Sequence, residues 1–297
     1  MTPSARPLDA AAAAIVVMLC LTWGFNQVAV KLTIHEIPPL IQAAIRSAGA
    51  ALIVMLWIRV RGIVLTKRDG TLLPGLIAGL LFTLEFLLIY RGLLLTTASR
   101  AVLFIYLAPV FVALGARFLL PGERMGALQW TGLALSFLGL AIAFGVPSGD
   151  VSGQTMIGDL MMIAAAGAWA STTLVIKTSA LARTSAEKTM LYQLVVSAPL
   201  LAIAALLFHE AMPQAPSTLA IVLLAFQTIW VVSVTFLIWF AMVVRYSASR
   251  LSAFTFLTPL FGVLAGHLVL DEPMTPAFAA AVALVAGGLI LVNRPAR

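Results

Sequence analysis

Apolar residues in this chain do not alternate with polar ones; they come in long blocks separated by short polar stretches. A helix needs roughly 20 mainly apolar residues to cross a bilayer core of about 30 Å. Ten blocks qualify, approximately Ala10–Thr33, Pro38–Ile58, Leu72–Leu95, Ala98–Phe118, Gly126–Val146, Met156–Thr178, Thr189–Phe208, Thr218–Val243, Ser249–Val269 and Pro276–Asn293. Strands are not expected, because the blocks are long and lack a period of two. Backbone groups within each span must find partners inside it, which favours helix. The connections are too short for an extramembrane domain.

Composition agrees with this pattern. The chain has 297 residues, 62% hydrophobic and 10% charged, against about 45–50% and about 25% in a soluble domain. The expected class is an all-α, multi-pass membrane protein. One cysteine, Cys20, excludes an intramolecular disulfide. Arg6 followed by "AAAAIVVMLCL" imitates a signal peptide. No small-x-small cleavage site follows, however, and the apolar run continues into "TWGFNQVAV", so the block reads as a span.

The net charge of +7 bears on orientation, and no nucleic-acid partner is expected. The basic residues sit in short turns. With the N-terminus inside, the inner side receives Arg6, Arg59, Arg61, Lys67, Arg68, Arg117, Arg124, Lys177, Arg183, Lys188, Arg245, Arg250, Arg294 and Arg297, which is 14 of the 18 basic residues. Only Lys31, Arg46, Arg91 and Arg100 fall elsewhere. By the positive-inside rule both termini are then cytoplasmic and the number of spans is even.

The chain also repeats itself. "ASRAVLFIYLAPVF" from Ala98 returns as "ASRLSAFTFLTPLF" from Ala248. Trp23 and Lys31 in "WGFNQVAVK" correspond to Trp169 and Lys177 in "WASTTLVIK", and Glu123 in "LPGE" to Glu272 in "VLDE". The expected units are residues 1–147 and 148–297, with five helices each. Five is odd, so the second unit enters the membrane from the opposite side. Such inverted repeats are common in secondary transporters, where they support alternating access.

These residues carry a resemblance. The "WG…K" first helix, the arginine in the second, the "AS-R…P" fourth and ninth helices and the "GE/DE" turns resemble the EamA-type drug/metabolite transporter superfamily over essentially the whole chain. Within it, the general likeness is to the YddG-type exporters of aromatic and other apolar amino acids. The resemblance implies ten helices with both termini cytoplasmic, in a cell inner membrane. It also implies a central cavity lined mainly by helices 1, 3, 4, 6, 8 and 9.

Several residues are candidates for the site. Glu85 lies near the centre of the third span, where a carboxylate costs about 2.5–3.5 kcal/mol on insertion scales and should face the bundle interior. It would meet a substrate ammonium or a proton, or else pair with Arg46 of the second span. Neither charge is duplicated: Glu85 corresponds to Thr235 and Arg46 roughly to Gln193. Trp23, Trp169 and Trp230 lie near midspan, as stacking surfaces or as packing between helices. Asn26, Tyr106, Gln227 and Thr258 are polar groups at similar depth that need partners. Gln227 and Trp230, one helical turn apart, are expected on one face. Pro109 and Pro259 sit mid-helix, as hinges or as static bends. Gly75 and Gly79 form a close-packing face, for intramolecular contact or a weak homodimer. Arg100 and Arg250 read as interfacial anchors or gates.

No G-x-x-x-x-G-K-[ST], H-E-x-x-H or G-x-S-x-G occurs, and the three histidines lack metal-ligand spacing. No enzyme activity, cofactor or metal is expected. The expectation is a secondary transporter or facilitator that exports small amphipathic metabolites, foremost amino acids, across the bilayer. Export of lipophilic cations, a passive channel and a non-transporting bundle or enzyme compete with it. Proton coupling and a facilitated route are both open.

Overall fold

Ten helices are long and apolar enough to cross a membrane: α1 (Ala10–Thr33), α2 (Pro39–Val60), α3 (Leu72–Gly92), α4 (Ala98–Leu119), α5 (Ala127–Phe144), α6 (Gly153–Thr178), α7 (Ala186–Leu207), α8 (Thr218–Arg245), α9 (Ala248–Leu270) and α10 (Pro276–Asn293). The structure is a computed structural model that describes residues 8–65, 69–145 and 152–294. Arg6, Lys67, Arg68 and Arg297 of the charge count lie outside the described residues, as does most of the loop after α5.

Local chemistry sets the helix ends. The Asp9 carboxylate accepts the Ala12 N–H at 2.8 Å. The hydroxyls of Ser152, Ser185 and Ser217 cap α6, α7 and α8 in the same way. Proline opens α2 and α10, where its missing N–H costs nothing.

The fold is a single all-helical bundle around a central cavity. α1 packs on α9, and α6 on α4; α2 lies against α7; α3 packs on α6 and α7. α5 and α10 pair with each other at the periphery. Their contact is backbone to backbone: a Cβ on Gly132 would come within 2.5 Å of the Gly288 carbonyl and 2.8 Å of the Val292 nitrogen. Gly75 and Gly79 face Tyr192 and Val196 of α7, so that small-residue face is occupied within the chain. Leu52, Leu56, Phe118 and Leu206 stay exposed, as apolar side chains facing lipid do.

Three helices are irregular. α4 breaks at Tyr106–Leu107, and α9 tightens to a 3-10 turn over Phe254–Phe256. Pro109 and Pro259 lie near the middle of α4 and α9, in the first turn after these breaks. Each ring removes the N–H that would bond the carbonyl four residues back, at Ile105 and Thr255. In α8, Gln227–Thr235 winds as π-helix, and the Ser233 hydroxyl donates to the Thr228 carbonyl five residues back at 2.8 Å. Nothing in the pattern of apolar blocks signals this widening.

Candidate functional site

A cavity of about 260 Å³ occupies the middle of the bundle. α1, α2, α3, α4, α6, α7, α8 and α9 line it, whereas α5 and α10 contribute nothing. The expected set of lining helices lacked α2 and α7, which bring Arg46 and Gln193. The cavity reaches Ile34 and Leu93, near the ends of α1 and α3, and goes no further the other way than Gln193, Trp239 and Phe240, each more than a helical turn inside the end of its helix. It therefore opens toward the end of the bundle where α1 and α3 finish.

Its walls are mostly aromatic. Trp23 meets Phe236 edge-on at 5.9 Å and Trp239 at 5.3 Å between centroids. The Trp23 indole N–H donates to the Thr235 hydroxyl at 2.8 Å, and that hydroxyl donates to the Val231 carbonyl. The indole is thus locked in place. Tyr106 packs edge-on against Trp169 at 6.2 Å. Such a surface suits a flat or apolar solute.

The polar groups are few. Asn26 and Thr258 line the cavity, and among the described residues the Asn26 carbonyl oxygen has no hydrogen-bond partner. Glu85 also faces the cavity. Arg46 is 5% exposed, in the wall beside it. The expected Glu85–Arg46 pair does not form: among the described residues no carboxylate lies within 4.0 Å of Arg46. The reason is angular. The guanidinium reaches the face of α3 that carries Phe86 and Tyr90, over the Phe86 ring at 5.9 Å and toward the Tyr90 hydroxyl at 3.5 Å. Glu85 precedes Phe86 and so points about 100° away round the helix.

Two further expectations are corrected. Gln227 is fully buried but sits behind the cavity wall. It accepts from Arg46 at 3.4 Å and donates to the Thr33 hydroxyl at 3.4 Å. Trp230 does not share its face: it is 47% exposed on the outside of α8. Each π-helical turn holds an extra residue. The position one turn beyond Gln227 therefore belongs to Val231, which lines the cavity. Arg100 is no free anchor either, since it is bound to Asp159 of α6.

Lining residues that sequence reasoning passed over include Tyr90, Thr172, Thr173, Gln193, Trp239 and Phe240. A signal existed for two of them. Trp169, Thr172 and Thr173 fall on one stripe of α6 by helical spacing.

Among the ion pairs at the ends of the bundle, one at each end joins a lysine and a glutamate that correspond between the repeats. Lys177 of α6 meets Glu123, after α4, at 2.5 Å, with both side chains buried. Lys31 of α1 meets Glu272, after α9, and both are exposed.

The EamA-like transporter family matches this chain twice, over residues 10–145 and 156–294. An uncharacterized transporter of Bacillus subtilis, YoaV, is 26% identical over 88% of this chain and 89% of its own length. A probable amino-acid metabolite efflux pump of Escherichia coli is 25% identical over 88% and 87%. Its counterpart in Salmonella typhimurium is 23% identical over 93% of each chain. A solved crystal structure at 21% identity superposes with a TM-score of 0.82 over 96% of this chain and 98% of its own, which shows a shared fold.

Proposed function

The chain belongs to the EamA-like transporter family, and from that premise we propose that this membrane transporter exports small amphipathic metabolites, foremost aromatic and other apolar amino acids. The observation that carries the reading is the central cavity, in which aromatic walls surround Glu85, a carboxyl group that forms no ion pair among the described residues. The side chain of the solute lies on Trp23, Trp169 and Tyr106. Its ammonium meets Glu85, while Asn26 and Thr258 fix its orientation. Two relatives named as amino-acid metabolite efflux pumps add support.

Residues 1–147 and 148–297 act as two inverted units that rock about the cavity, exposing it to one side and then the other. With both termini cytoplasmic in an inner membrane, the described conformation opens outward. The breaks at Pro109 and Pro259 lie beside the lining residues Tyr106 and Thr258 and are where α4 and α9 bend. The transporter needs no cofactor and no nucleic acid, and works as a monomer or weak homodimer.

The test is counterflow of labelled phenylalanine in proteoliposomes, with unlabelled amino acids and lipophilic cations as competitors. Saturable counterflow that tryptophan and leucine inhibit is expected. If only lipophilic cations compete, the site is a cation exporter. Unsaturable flux without counterflow would make it a channel. A second measurement repeats the flux under a pH gradient: coupling through Glu85 predicts acceleration that Glu85→Gln abolishes.

A further inference from the structure

We infer that Arg46 is the carboxylate anchor of the cavity, and that Arg46 and Glu85 together select zwitterions against amines and acids of the same shape. This rests on the transport reading and adds to it a residue and a selection rule. Arg46 cannot shed its charge by losing a proton. A buried cation without an anion is costly, by several kcal/mol in a low-dielectric interior. Yet among the described residues every partner of Arg46 is neutral and long: Tyr90 at 3.5 Å, Gln227 at 3.4 Å and the face of Phe86. Among the same residues its Nε has no hydrogen-bond partner.

The neighbours hold the guanidinium in place without neutralising it. Gln227 is itself fixed by the Thr33 hydroxyl, which donates onward to the Ala29 carbonyl at 2.6 Å. Gln227 is thus a positioning residue. The fork of donors matches a carboxylate in shape as well as charge. Glu85 lies in the same cavity, turned away on α3 and without an ion-pair partner among the described residues. The two charges cannot satisfy each other, but one solute can satisfy both. An α-amino acid carries ammonium and carboxylate on a single carbon. An amine would leave Arg46 buried and unpaired, and an acid would give Glu85 no cation to meet, so that it would have to take up a proton instead.

The experiment compares three competitors of one shape, phenylalanine, phenethylamine and 3-phenylpropionate, in proteoliposomes of the full chain. The parent should bind phenylalanine at least about tenfold more tightly than either single-charge analogue, a difference of about 1.4 kcal/mol. Arg46→Gln should weaken phenylalanine by about tenfold or more and leave phenethylamine unchanged or tighter. Phenethylamine binding then reports that the variant is folded. If Arg46→Gln does not fold, Arg46→Lys decides. Its point charge lacks the fork, so phenylalanine should weaken while phenethylamine holds. Equal weakening of phenylalanine and phenethylamine, or unchanged phenylalanine binding, overturns the assignment and spares the transport reading. Failure of the parent to bind any of the three sinks both.

A different observation carries a second inference. The residues that correspond between the repeats, Lys31 with Lys177 and Glu123 with Glu272, form the two ion pairs, and each pair joins one half to the other. At the closed end, Lys177 also donates to the Tyr246 carbonyl at 2.5 Å, and Glu123 accepts the Ala248 N–H at 2.6 Å. This pair grips the α8–α9 connection. At the open end, Lys31–Glu272 grips no connection. The segment matching Tyr246–Ala248, at the offset of 150 set by Arg100 and Arg250, is Thr96–Ala98. It is held instead by Asp159, which accepts from the Thr96 hydroxyl at 2.6 Å and from Arg100 Nε at 3.0 Å.

We propose that Lys31–Glu272 is the vacant clamp of the opposite conformation. When the open end closes, the α3–α4 connection leaves Asp159. Glu272 then accepts the Ala98 N–H and Lys31 donates to the Thr96 carbonyl, as their counterparts do at the other end. Spin labels at Leu94→Cys and Met274→Cys, both exposed positions, in a Cys20→Ala chain, read the width of this end. Asp159→Asn should shift the distances shorter, and Glu272→Gln should shift them longer. Unfolding cannot mimic shifts of opposite sign. If either variant fails to move the distances in its stated direction, the clamp is wrong.

Discussion

Removing both partners of the buried Lys177–Glu123 pair should do less damage than the two single removals added together. The side chains are 7% and 4% exposed. Loss of one partner from a buried pair costs about 3–5 kcal/mol, because the other charge is left uncompensated. Lys177→Met and Glu123→Leu should each fall in that range. The double variant leaves no buried charge. It still leaves the Ala248 N–H and the Tyr246 carbonyl unpartnered, at about 1–3 kcal/mol each. The double should therefore cost about 2–6 kcal/mol, below the roughly 6–10 kcal/mol that simple addition of the singles would give. Equilibrium unfolding of the detergent-solubilised protein in sodium dodecyl sulfate, followed by circular dichroism, measures all four corners of the cycle. Additive losses, or single variants within about 0.5 kcal/mol of the parent, would refute the description of this pair.

Trp230→Ala should leave counterflow within about twofold of the parent, because Trp230 lies outside the cavity, whereas Trp169→Ala should raise the apparent KM several-fold. Gly288→Ala sets a Cβ against the Gly132 carbonyl and the Ser136 nitrogen, backbone atoms that cannot step aside. It should destabilise the α5–α10 pair by about 1–3 kcal/mol in the same unfolding assay, while surviving molecules keep the parent's substrate affinities. In the α2–α3 loop, hydrogen bonds from Thr71 and then Lys188 hold the Asp69 carboxyl well below the usual carboxylate range. A depressed value means that the contribution is present above the unfolded pKa of about 3.9 and is lost as pH falls through the folded one. The stability gap between parent and Asp69→Asn should therefore be constant from pH 7 to 5 and close only in stronger acid.

The ten spans were legible because length and apolarity alone decide what crosses a bilayer. Observed and expected helices share their ends at Ala10–Thr33 and Pro276–Asn293 and differ by three residues or fewer elsewhere. Glu85 stood out for a similar reason, since a carboxylate at midspan has to face inward. Trp230 misled because the helical spacing used for it assumes one winding throughout. The π segment is stabilised by contacts with α1 and α2, which one helix's own sequence does not display. Arg46 was assigned to Glu85 because opposite charges on successive helices attract. Which side of α3 it reaches depends on the rotation of α2 against α3, and that rotation follows from the packing of both on α7.

The sequence by itself determined the class, the number of helices and the paired Lys and Glu letters in the two halves. Each is a local property: burial in lipid is judged residue by residue, and a repeat is read by counting. Only the tertiary structure decided which halves those letters join, which end is gripped, and that Arg46 and Glu85 stand apart in one cavity. Those outcomes depend on the relative rotation and tilt of helices far apart in the chain. That geometry comes from the packing of all ten helices together.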